Sequence, residues 1–455
     1  MTKDKFSSKK SKNLITFILS RDDVFLLKKI NHLITVNKMS LDFSNLQIDS
    51  ESTYHRIKDV VNRTALQYNT YLSEKYGADV YLKREDLQIV RSYKLRGAYN
   101  KIISLSEEEQ QRGVVCASAG NHAQGVAFSC KKLDIKGVIF MPGPTPKQKI
   151  TQTEMWGNGN IEIILTGDTF DDCQKAARIY TEENNMTFIP PFDDPKVIEG
   201  QGTVAVEILQ DLPDIDAVFI PIGGGGLSAG TSYYLKNKNP NIKCYGVEPQ
   251  GAASMQAAFT VGKPVELEKI NKFVDGAAVQ KVGDLTFEIS RQYLDDIRSI
   301  PEGKICTCIL ELYNKDAIVV EPAGALSVAA LEFHKDEIKG KKVVCIISGG
   351  NNDINRMSEI QELSLLYEGY KHYFIVRFPN RPGALKLFVS EVLSPKDDIT
   401  RFEFIKKTER ERGPALIGIE LNDPEDYQSL LQRMTDNKFE YIELNKDQTL
   451  FEYLV

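Results

Sequence analysis

Short apolar runs alternate with amphipathic stretches between residues 79 and 347, and this alternation constrains the fold more than any other feature of the sequence. Helical patterns of about 10 to 20 residues separate most of the runs, which is typical of parallel sheets covered by helices. We therefore expect an α/β catalytic domain whose ligands bind where its strands end. Seven runs rich in β-branched or other apolar residues predict strands: 80–82, 114–117, 137–141, 161–165, 217–221, 244–248 and 343–347.

A different order of elements follows residue 366. The sequence predicts four strands and two helices in the order β-α-β-β-α-β, which is typical of a ferredoxin-like α+β domain. The strands are predicted at 373–378, at 400–405, at 415–421 and near Tyr441, and the helices begin at Ala384 and at Pro424. A module of about 85 residues is long enough to fold separately. We therefore expect a catalytic domain at 39–366 and a second domain at 371–455.

Residues 1–38 differ in composition from the rest of the chain. They carry nine Lys or Arg against three Asp, with little periodicity. Targeting segments are poor in acidic residues and favour Arg, whereas most of these basic residues are Lys. We expect an N-terminal extension outside the folded domains, which is either a targeting segment or dispensable.

The composition of the 455-residue chain excludes several classes of protein. The net charge is −6 and no basic face is evident beyond residue 38, so we expect no nucleic-acid partner. No apolar run approaches the ~20 residues that cross a bilayer, so we expect no membrane span. Seven cysteines without a C-x-x-C pair predict a reducing, cytoplasmic compartment. Five histidines form no cluster at metal-ligand spacing, so we expect no metal site.

Three segments near predicted strand ends could carry chemistry. Lys94 lies between an aromatic residue and a predicted helix, although most lysines in such a setting are solvated surface charges. Ser348 ends the last predicted strand, where its hydroxyl could meet a heteroaromatic nitrogen or simply cap a turn. Small and polar residues follow the strand at 114–117: Ser118, Ala119, Gly120, Asn121 and His122. A helix start of this kind can bind a carboxylate or phosphate, and a plain capped turn explains it equally well.

Four consecutive glycines and a leucine follow the predicted strand at 217–221: Gly223, Gly224, Gly225, Gly226 and Leu227. Such a loop lets the backbone wrap an anion that side chains would exclude. A dinucleotide fingerprint is the rival interpretation, because Gly224, Gly226 and Ala229 match G-x-G-x-x-[GA]. Glu248 would then be the ribose ligand. That fingerprint usually opens its own domain, whereas this loop lies deep in a longer α/β series.

These parts together suggest a phosphorylated cofactor that a lysine holds covalently, and pyridoxal phosphate fits all of them. Residues 45–455 resemble the biosynthetic threonine dehydratases (threonine deaminases), which have the tryptophan-synthase-like fold of type II pyridoxal-phosphate enzymes. The resemblance implies two α/β catalytic subdomains and one ACT-like regulatory domain. It rests on nine ordered motifs: KREDLQ at 83–88, SYKLRGA at 92–98, SAGNHAQG at 118–125, PPFD at 190–193, GQGT at 200–203, GGGGL at 223–227, DGAAV at 275–279, EPAGA at 321–325 and SGGN at 348–351.

The resemblance implies a role for each candidate residue. Lys94 would hold pyridoxal 5'-phosphate covalently and act as general base. Asn121 would bond the 3-hydroxyl of the cofactor, and Ser348 would meet its pyridine nitrogen. Residues 223–227 would hold the phosphate, and residues 118–122 would hold the substrate carboxylate.

The resemblance also implies the reaction and its control. The expected activity is the elimination and deamination of L-threonine to 2-oxobutanoate and ammonia, the first step of isoleucine biosynthesis. Isoleucine would be an allosteric inhibitor, and the enzyme would be a dimer or tetramer of identical chains. The alternatives are a serine/threonine dehydratase or serine racemase of the same fold, an NAD-linked oxidoreductase, and a binding protein without turnover.

Three departures from the family pattern bear on these expectations. Tyr93 stands where the family most often has Phe, which adds a hydroxyl near the cofactor. Related serine racemases bind a cation near the residue corresponding to Glu248, but Ser254 stands where an acidic ligand would be expected. We therefore expect no required divalent metal. The longest family members carry two ACT-like domains, so a single copy leaves the effector stoichiometry open.

Overall fold

The computed structural model describes residues 47–404 and 411–455 of the chain. Within them, the backbone forms three β-sheets joined by helices. The N-terminal extension expected at 1–38 lies outside these residues, as does the last residue of the strand expected at 400–405. No helix in this part of the chain is long and apolar enough to cross a membrane.

A six-stranded sheet organises the larger of two α/β regions. Its strands are β1 (Leu66–Tyr68), β2 (Asp79–Arg84), β7 (Ala217–Pro221), β8 (Lys243–Pro249), β9 (Asp296–Ile300) and β10 (Lys342–Ile347). They lie in the order β1-β2-β10-β7-β8-β9, and every neighbouring pair is parallel except β1 with β2. The side chains of β7 are all buried, because helices cover both faces of a parallel sheet.

A smaller, fully parallel sheet lies between β2 and β7 in the sequence. Its strands are β3 (Val114–Ala117), β4 (Gly137–Met141), β5 (Ile161–Leu165) and β6 (Thr187–Phe188). They are ordered β5-β4-β3-β6. The central strands β3 and β4 are buried along their whole length, whereas β5 lies at one edge and is partly exposed.

Fourteen helices of the described residues precede or connect these strands. Their ends follow local sequence signals, as where Asp194 accepts hydrogen bonds from the first turn of α8 and Pro195 opens that helix. They are α1 (Ser50–Ile57), α2 (Thr70–Tyr76), α3 (Lys94–Ile103), α4 (Glu107–Arg112), α5 (Asn121–Leu133), α6 (Lys147–Gly157), α7 (Phe170–Glu183), α8 (Pro195–Asp211), α9 (Gly226–Lys238), α10 (Ser254–Val261), α11 (Asp284–Tyr293), α12 (Glu302–Asp316), α13 (Pro322–Ala329) and α14 (Lys335–Ile338).

A four-stranded antiparallel sheet forms the C-terminal region. It follows helix α15 (Met357–Tyr367). Its elements are β11 (Lys371–Pro379), α16 (Ala384–Glu391), β12 (Asp398–Phe404), β13 (Arg412–Glu420), α17 (Tyr427–Asp436), β14 (Glu440–Glu443) and α18 (Gln448–Leu454). The strand order β12-β13-β11-β14 is that of a ferredoxin-like domain. Phe374, Phe388, Ile417 and Leu430 pack between this sheet and its helices.

The expected fold class is confirmed: an α/β catalytic region with two sheets precedes an α+β region. All seven strands predicted in the α/β part are present, four of them with the predicted bounds. The short strands β1 and β6 and the partly exposed β9 were not predicted, nor was α18. Residues Pro424–Asp426 form a single tight turn, so the helix expected from Pro424 begins at Tyr427.

Candidate active site

Lys94 is the first residue of α3 and is half-buried. Its ammonium donates a hydrogen bond of 2.9 Å to the carbonyl of Pro191 and lies 5.5 Å from the centre of the Tyr93 ring. Burial lowers its pKa from 10.5 to about 8, although the charge of Glu321 opposes the change. A lysine in this state is more often neutral than a surface lysine at physiological pH. It can therefore act as a nucleophile or a base.

The loop that follows β6 supports Lys94 and the glycine loop together. Pro191 supplies the carbonyl that accepts the Lys94 hydrogen bond. The Phe192 ring fills the space where a side chain on Gly224 would lie. Asp193 accepts hydrogen bonds from the first three backbone N–H groups of α11, at 3.0 to 3.1 Å. Three consecutive residues thus tie Lys94, the glycine loop and α11 to one another.

The glycine loop runs from the end of β7 into α9. Gly225 has a φ of +94°, which favours glycine, and a Cβ there would lie 2.7 Å from the Met255 methyl carbon. A Cβ on Gly224 would overlap the Phe192 ring. Two of the four glycines are therefore required by packing or backbone conformation. The N–H groups in the first turn of α9, including that of Leu227, have no partners within the helix and can receive an anion.

The turn between β3 and α5 contains the second candidate anion site. The Ser118 hydroxyl accepts a hydrogen bond of 3.2 Å from the backbone N–H of Gly120. A Cβ on Gly120 would meet no atom within 4 Å, so open space lies beside the start of α5. His122 faces the other way, because its buried ring contacts the Ile189 carbonyl at 2.9 Å. Burial lowers the pKa of His122 to about 3, so its ring is neutral.

Asn121 opens α5 and bridges two other segments of the cleft. Its amide nitrogen donates a hydrogen bond of 2.7 Å to Glu321, and its amide oxygen accepts one of 2.7 Å from Asn351. Ser348 directly follows β10, and its buried hydroxyl donates to the Ala323 carbonyl at 3.1 Å. A ligand nitrogen at Ser348 would therefore compete with that carbonyl for the single hydroxyl hydrogen.

Short contacts bring these segments together into one site, which is called the cleft here. The N–H of Tyr93 donates to the carbonyl of Ser348 at 3.2 Å, next to Lys94. A Cβ on Gly223 would lie 3.0 Å from the Cα of Ala277, and one on Gly276 would lie 2.9 Å from the Cβ of Ala323. The structure thus brings the sequence-predicted residues together at the ends of β3, β7 and β10, as expected for parallel sheets.

Glu248 is the penultimate residue of β8, and its side chain is bonded to the start of α10 rather than to the residues of this cleft. Both of its carboxylate oxygens accept backbone N–H groups at the start of α10, from Met255 at 2.7 Å and Gln256 at 2.8 Å. The side chain is fully buried, and burial raises its pKa to about 8. A carboxyl group bonded in this way is not available to a ribose, which argues against the dinucleotide interpretation. No group of three or more His, Cys, Asp or Glu in the described residues could hold a metal ion.

Sequence reasoning missed several residues that shape the site. They include the carbonyl of Pro191, the ring of Phe192 and the carboxyl group of Glu321. The motifs PPFD at 190–193 and EPAGA at 321–325 contain all three, but neither motif shows which residue of the cleft it contacts. Both motifs belong to the nine that carry the family resemblance. They indicated that these segments matter, but they did not indicate what each residue does.

Two families match this chain over most of its length. Residues 57–349 match the family described as "Pyridoxal-phosphate dependent enzyme". Residues 362–454 match the "C-terminal regulatory domain of Threonine dehydratase". The first match spans the cleft and both parallel sheets, and the second spans the antiparallel sheet.

Individual proteins of known name are similar to this chain over most of their own length. The chain is 59% identical to the biosynthetic L-threonine dehydratase of Bacillus subtilis (strain 168) over 403 residues, which are 88% of this chain and 96% of that protein. A processed threonine deaminase isoform of Solanum lycopersicum has a TM-score of 0.65 at 40% identity, covering 70% of this chain and 94% of that one. Maize serine racemase has a TM-score of 0.65 at 31% identity, covering 70% and 98%.

Proposed function

We propose how this site works from one premise: the chain belongs to the pyridoxal-phosphate-dependent enzymes and, among them, to the biosynthetic threonine dehydratases. The proposed reaction is the β-elimination and deamination of L-threonine to 2-oxobutanoate and ammonia. The water lost with the β-hydroxyl is returned when the released product hydrolyses, so the atoms balance. The observation that carries the proposal is Lys94, an amine with a lowered pKa beside a glycine loop.

The residues of the cleft fit pyridoxal phosphate. A lysine that forms no ion pair with the described residues provides the covalent attachment, and its lowered pKa suits that chemistry. The glycine loop at 223–227 has no polar side chain and offers backbone N–H groups to a phosphate. An amide at Asn121 and a hydroxyl at Ser348 are suited to a ring oxygen and a ring nitrogen. Bound pyridoxal phosphate supplies the electron sink that stabilises negative charge on the α-carbon of an amino acid.

Lys94 has two proposed tasks. Its amine attaches the cofactor, and the same amine, when free and neutral, accepts the α-proton of threonine. Burial supports the second task, because a base with a pKa near 8 is neutral in a useful fraction at physiological pH. The Pro191 carbonyl, 2.9 Å from the amine, orients it.

Residues 118–122 are proposed to hold the carboxylate of the substrate. The open space beside Gly120 and the free N–H groups at the start of α5 support this role. The ring of His122 is already hydrogen-bonded to Ile189, so this residue contributes through its backbone rather than as an acid. Binding the carboxylate there orients the α-proton toward Lys94.

The C-terminal region is proposed to bind isoleucine and to lower activity. Its support is the match of residues 362–454 to a regulatory domain. The turn after β11 leads into α16 through Gly383, whose φ is +84°. Leu385 and Val389 on α16 leave 45% and 47% of their surface exposed, so an apolar side chain of an effector could contact them.

Four further proposals concern organisation. Residues 39–366 form the catalytic domain and residues 371–455 the ACT-like regulatory domain. The enzyme is a dimer or tetramer of identical chains, and no divalent metal is required, because backbone N–H groups occupy both oxygens of Glu248. It works in the cytoplasm, because all seven cysteines are buried and unpaired, as in a reducing compartment.

A substrate panel with product identification tests the proposed reaction. Given L-threonine, L-serine and D-serine, we expect L-threonine to have the highest kcat/KM and to yield 2-oxobutanoate and ammonia. L-Serine should react more slowly, because its missing methyl group weakens binding by ~1–3 kcal/mol. A loss of that size still leaves measurable activity. Interconversion of L- and D-serine as the main activity would instead support the racemase alternative. Turnover should survive exhaustive chelation, and a loss restored by Mg²⁺ would refute the proposal that no metal is required.

A further inference from the structure

Glu321 is a buried carboxyl group for which the proposed reaction has no use. It precedes α13 at the N-cap position, yet its side chain accepts no hydrogen bond from that helix. Its carboxyl group turns into the cleft and accepts the Asn121 amide at 2.7 Å. Only 5% of its surface is exposed, and it forms no ion pair with a described Lys or Arg. Burying a carboxyl group without an ion pair costs folding free energy. A role other than stability would explain why this chain keeps one here.

The Glu321 carboxyl group fits into this space because the two neighbouring residues Gly276 and Gly349 have no side chain. A Cβ on Gly349 would overlap the Glu321 carboxyl oxygen, and a Cβ on Gly276 would lie 3.4 Å from it. Burial and the charge of Asp275 raise the pKa of Glu321 to about 7, and Asn121, Lys149 and Lys94 oppose the shift. The surrounding backbone is therefore shaped around the side chain, and the carboxyl group points at Asn121.

The contacts of Asn121 fix the orientation of its amide. In its ionised form Glu321 only accepts hydrogen bonds, and the Asn121 nitrogen then faces it, as in the observed contact. On the other side the Asn351 nitrogen donates to the Asn121 oxygen at 2.7 Å. An amide rotated by 180° would place oxygen against carboxylate and nitrogen against nitrogen. Both partners thus oppose the rotated state, and one N–H of Asn121 is left for a ligand.

We propose that Glu321 is a positioning residue that fixes Asn121 as a hydrogen-bond donor to the ring oxygen of the cofactor. The proposal rests on the proposed function, because it assumes that Asn121 contacts that oxygen. A group that can only donate favours the deprotonated form of the oxygen over the hydroxyl form. Glu321 therefore affects the affinity and the absorption spectrum of the bound cofactor without touching it.

The test compares four variants of the full-length enzyme, Glu321→Gln, Glu321→Asp, Asn121→Ala and the double variant Asn121→Ala/Glu321→Gln. Each is stripped of cofactor and titrated with pyridoxal phosphate, with the absorption spectrum recorded at saturation. We expect Glu321→Gln to bind the cofactor about ten-fold more weakly, because a hydrogen bond to a charged group becomes a neutral one. Its visible band should also change, whereas Glu321→Asp, which keeps the charge, should restore part of both effects.

The double variant separates positioning from general stability. If Glu321 acts through Asn121, replacing Glu321 adds nothing once Asn121 is alanine. The control is Glu199→Gln, which neutralises another buried carboxyl group that accepts from Thr53 and Lys196 and not from Asn121, and it should leave affinity and spectrum unchanged. Additive losses, or an unchanged Glu321→Gln spectrum in an enzyme that deaminates threonine, would overturn the positioning role alone. A wild-type chain that binds no pyridoxal phosphate would overturn the proposed function instead.

Discussion

At the scale of single residues, a buried ion network anchors the helix that begins with Lys94. Arg96, two residues further along α3, is fully buried and donates to Glu85 and Glu207 at 2.7 to 2.9 Å. Lys83 donates to the same Glu207 at 2.6 Å. Two cations thus balance two carboxylates in charge. The network joins β2, α3 and α8 and reaches α3 two residues after Lys94.

Removal of Arg96 should be costly. In Arg96→Met two buried carboxylates share one lysine, so we expect the free energy of unfolding to fall by about 3–5 kcal/mol. Lys101→Met is the matched control on the same helix, because the ion pair of Lys101 with Asp194 is partly exposed. It should cost about 1 kcal/mol or less. Urea unfolding of the holoenzymes measures both, and equal losses for the two variants would contradict the anchoring role.

Residue identities in the cleft could be predicted, but their partners could not. Lys94, Asn121 and Ser348 lie in recognisable motifs at predicted strand or helix ends. The Lys94 amine bonds a carbonyl 97 residues away, and Asn121 bonds a carboxyl group 200 residues away. Such contacts depend on how two sheets pack, and no local pattern reports that. Ser254 in place of an acidic residue led to the prediction that no divalent metal is required. The hydrogen bonds between Glu248 and the backbone at the start of α10 could not be predicted from the sequence.

At the scale of elements, the strand-to-helix turns decide what the cleft can bind. The order of strands and helices was predictable because apolar periodicity reports burial directly. β1 and β6 have only three and two residues, and β9 carries Asp, Arg and Ser, so all three lack a clear apolar run. The glycine loop was predicted as an anion site, but the packing of Phe192 against Gly224 was not.

A single methyl group in the glycine loop tests that packing. In Gly224→Ala the new Cβ overlaps the Phe192 ring, so the loop or the ring must move. We expect cofactor affinity to fall about ten-fold or more, which corresponds to 1.4 kcal/mol. The double variant Gly224→Ala/Phe192→Ala should recover part of that loss, because the smaller side chain removes the overlap. Titration with pyridoxal phosphate measures both, and a double variant weaker than Gly224→Ala would contradict this explanation.

At the scale of the whole molecule, helix α15 connects the catalytic sheets to the antiparallel sheet. On α15, Glu362 pairs with Lys371 and accepts a hydrogen bond of 2.5 Å from the Tyr373 hydroxyl, both on β11. Just before α15, Arg356 donates to the Phe273 carbonyl at 2.7 Å, four residues before Ala277, whose Cα would lie 3.0 Å from a Cβ on Gly223. Side-chain contacts therefore link β11 to α15, and the residue before α15 to the segment that lies against the glycine loop.

Loss of the C-terminal region should separate regulation from catalysis. An effector acts only through different affinities for two states, so truncation after Leu366 should abolish inhibition by isoleucine and leave basal turnover little changed. In the intact enzyme we expect isoleucine to weaken the apparent affinity for threonine by about 5- to 150-fold. Steady-state kinetics with and without isoleucine measure this. Full-length Leu385→Asp, which keeps the fold contacts of β11, should also lose inhibition.

Two outcomes would contradict the regulatory role. One is unchanged sensitivity to isoleucine in the truncated enzyme. The other is an intact enzyme that isoleucine does not inhibit, in which case the C-terminal region serves assembly. Light scattering of the intact and truncated chains distinguishes these roles, because an assembly domain changes the oligomeric state when it is removed.

The central claim is that Lys94 carries the cofactor in a threonine-deaminating cleft, and peptide mapping after reduction tests it most directly. Borohydride reduction of the holoenzyme makes the link between a lysine and pyridoxal phosphate permanent, so digestion and mass spectrometry identify the lysine. We expect the added mass only on the peptide that contains Lys94, and expect Lys94→Ala to be folded, colourless and inactive with threonine. Added mass on another lysine, or a yellow and active Lys94→Ala enzyme, would contradict the claim.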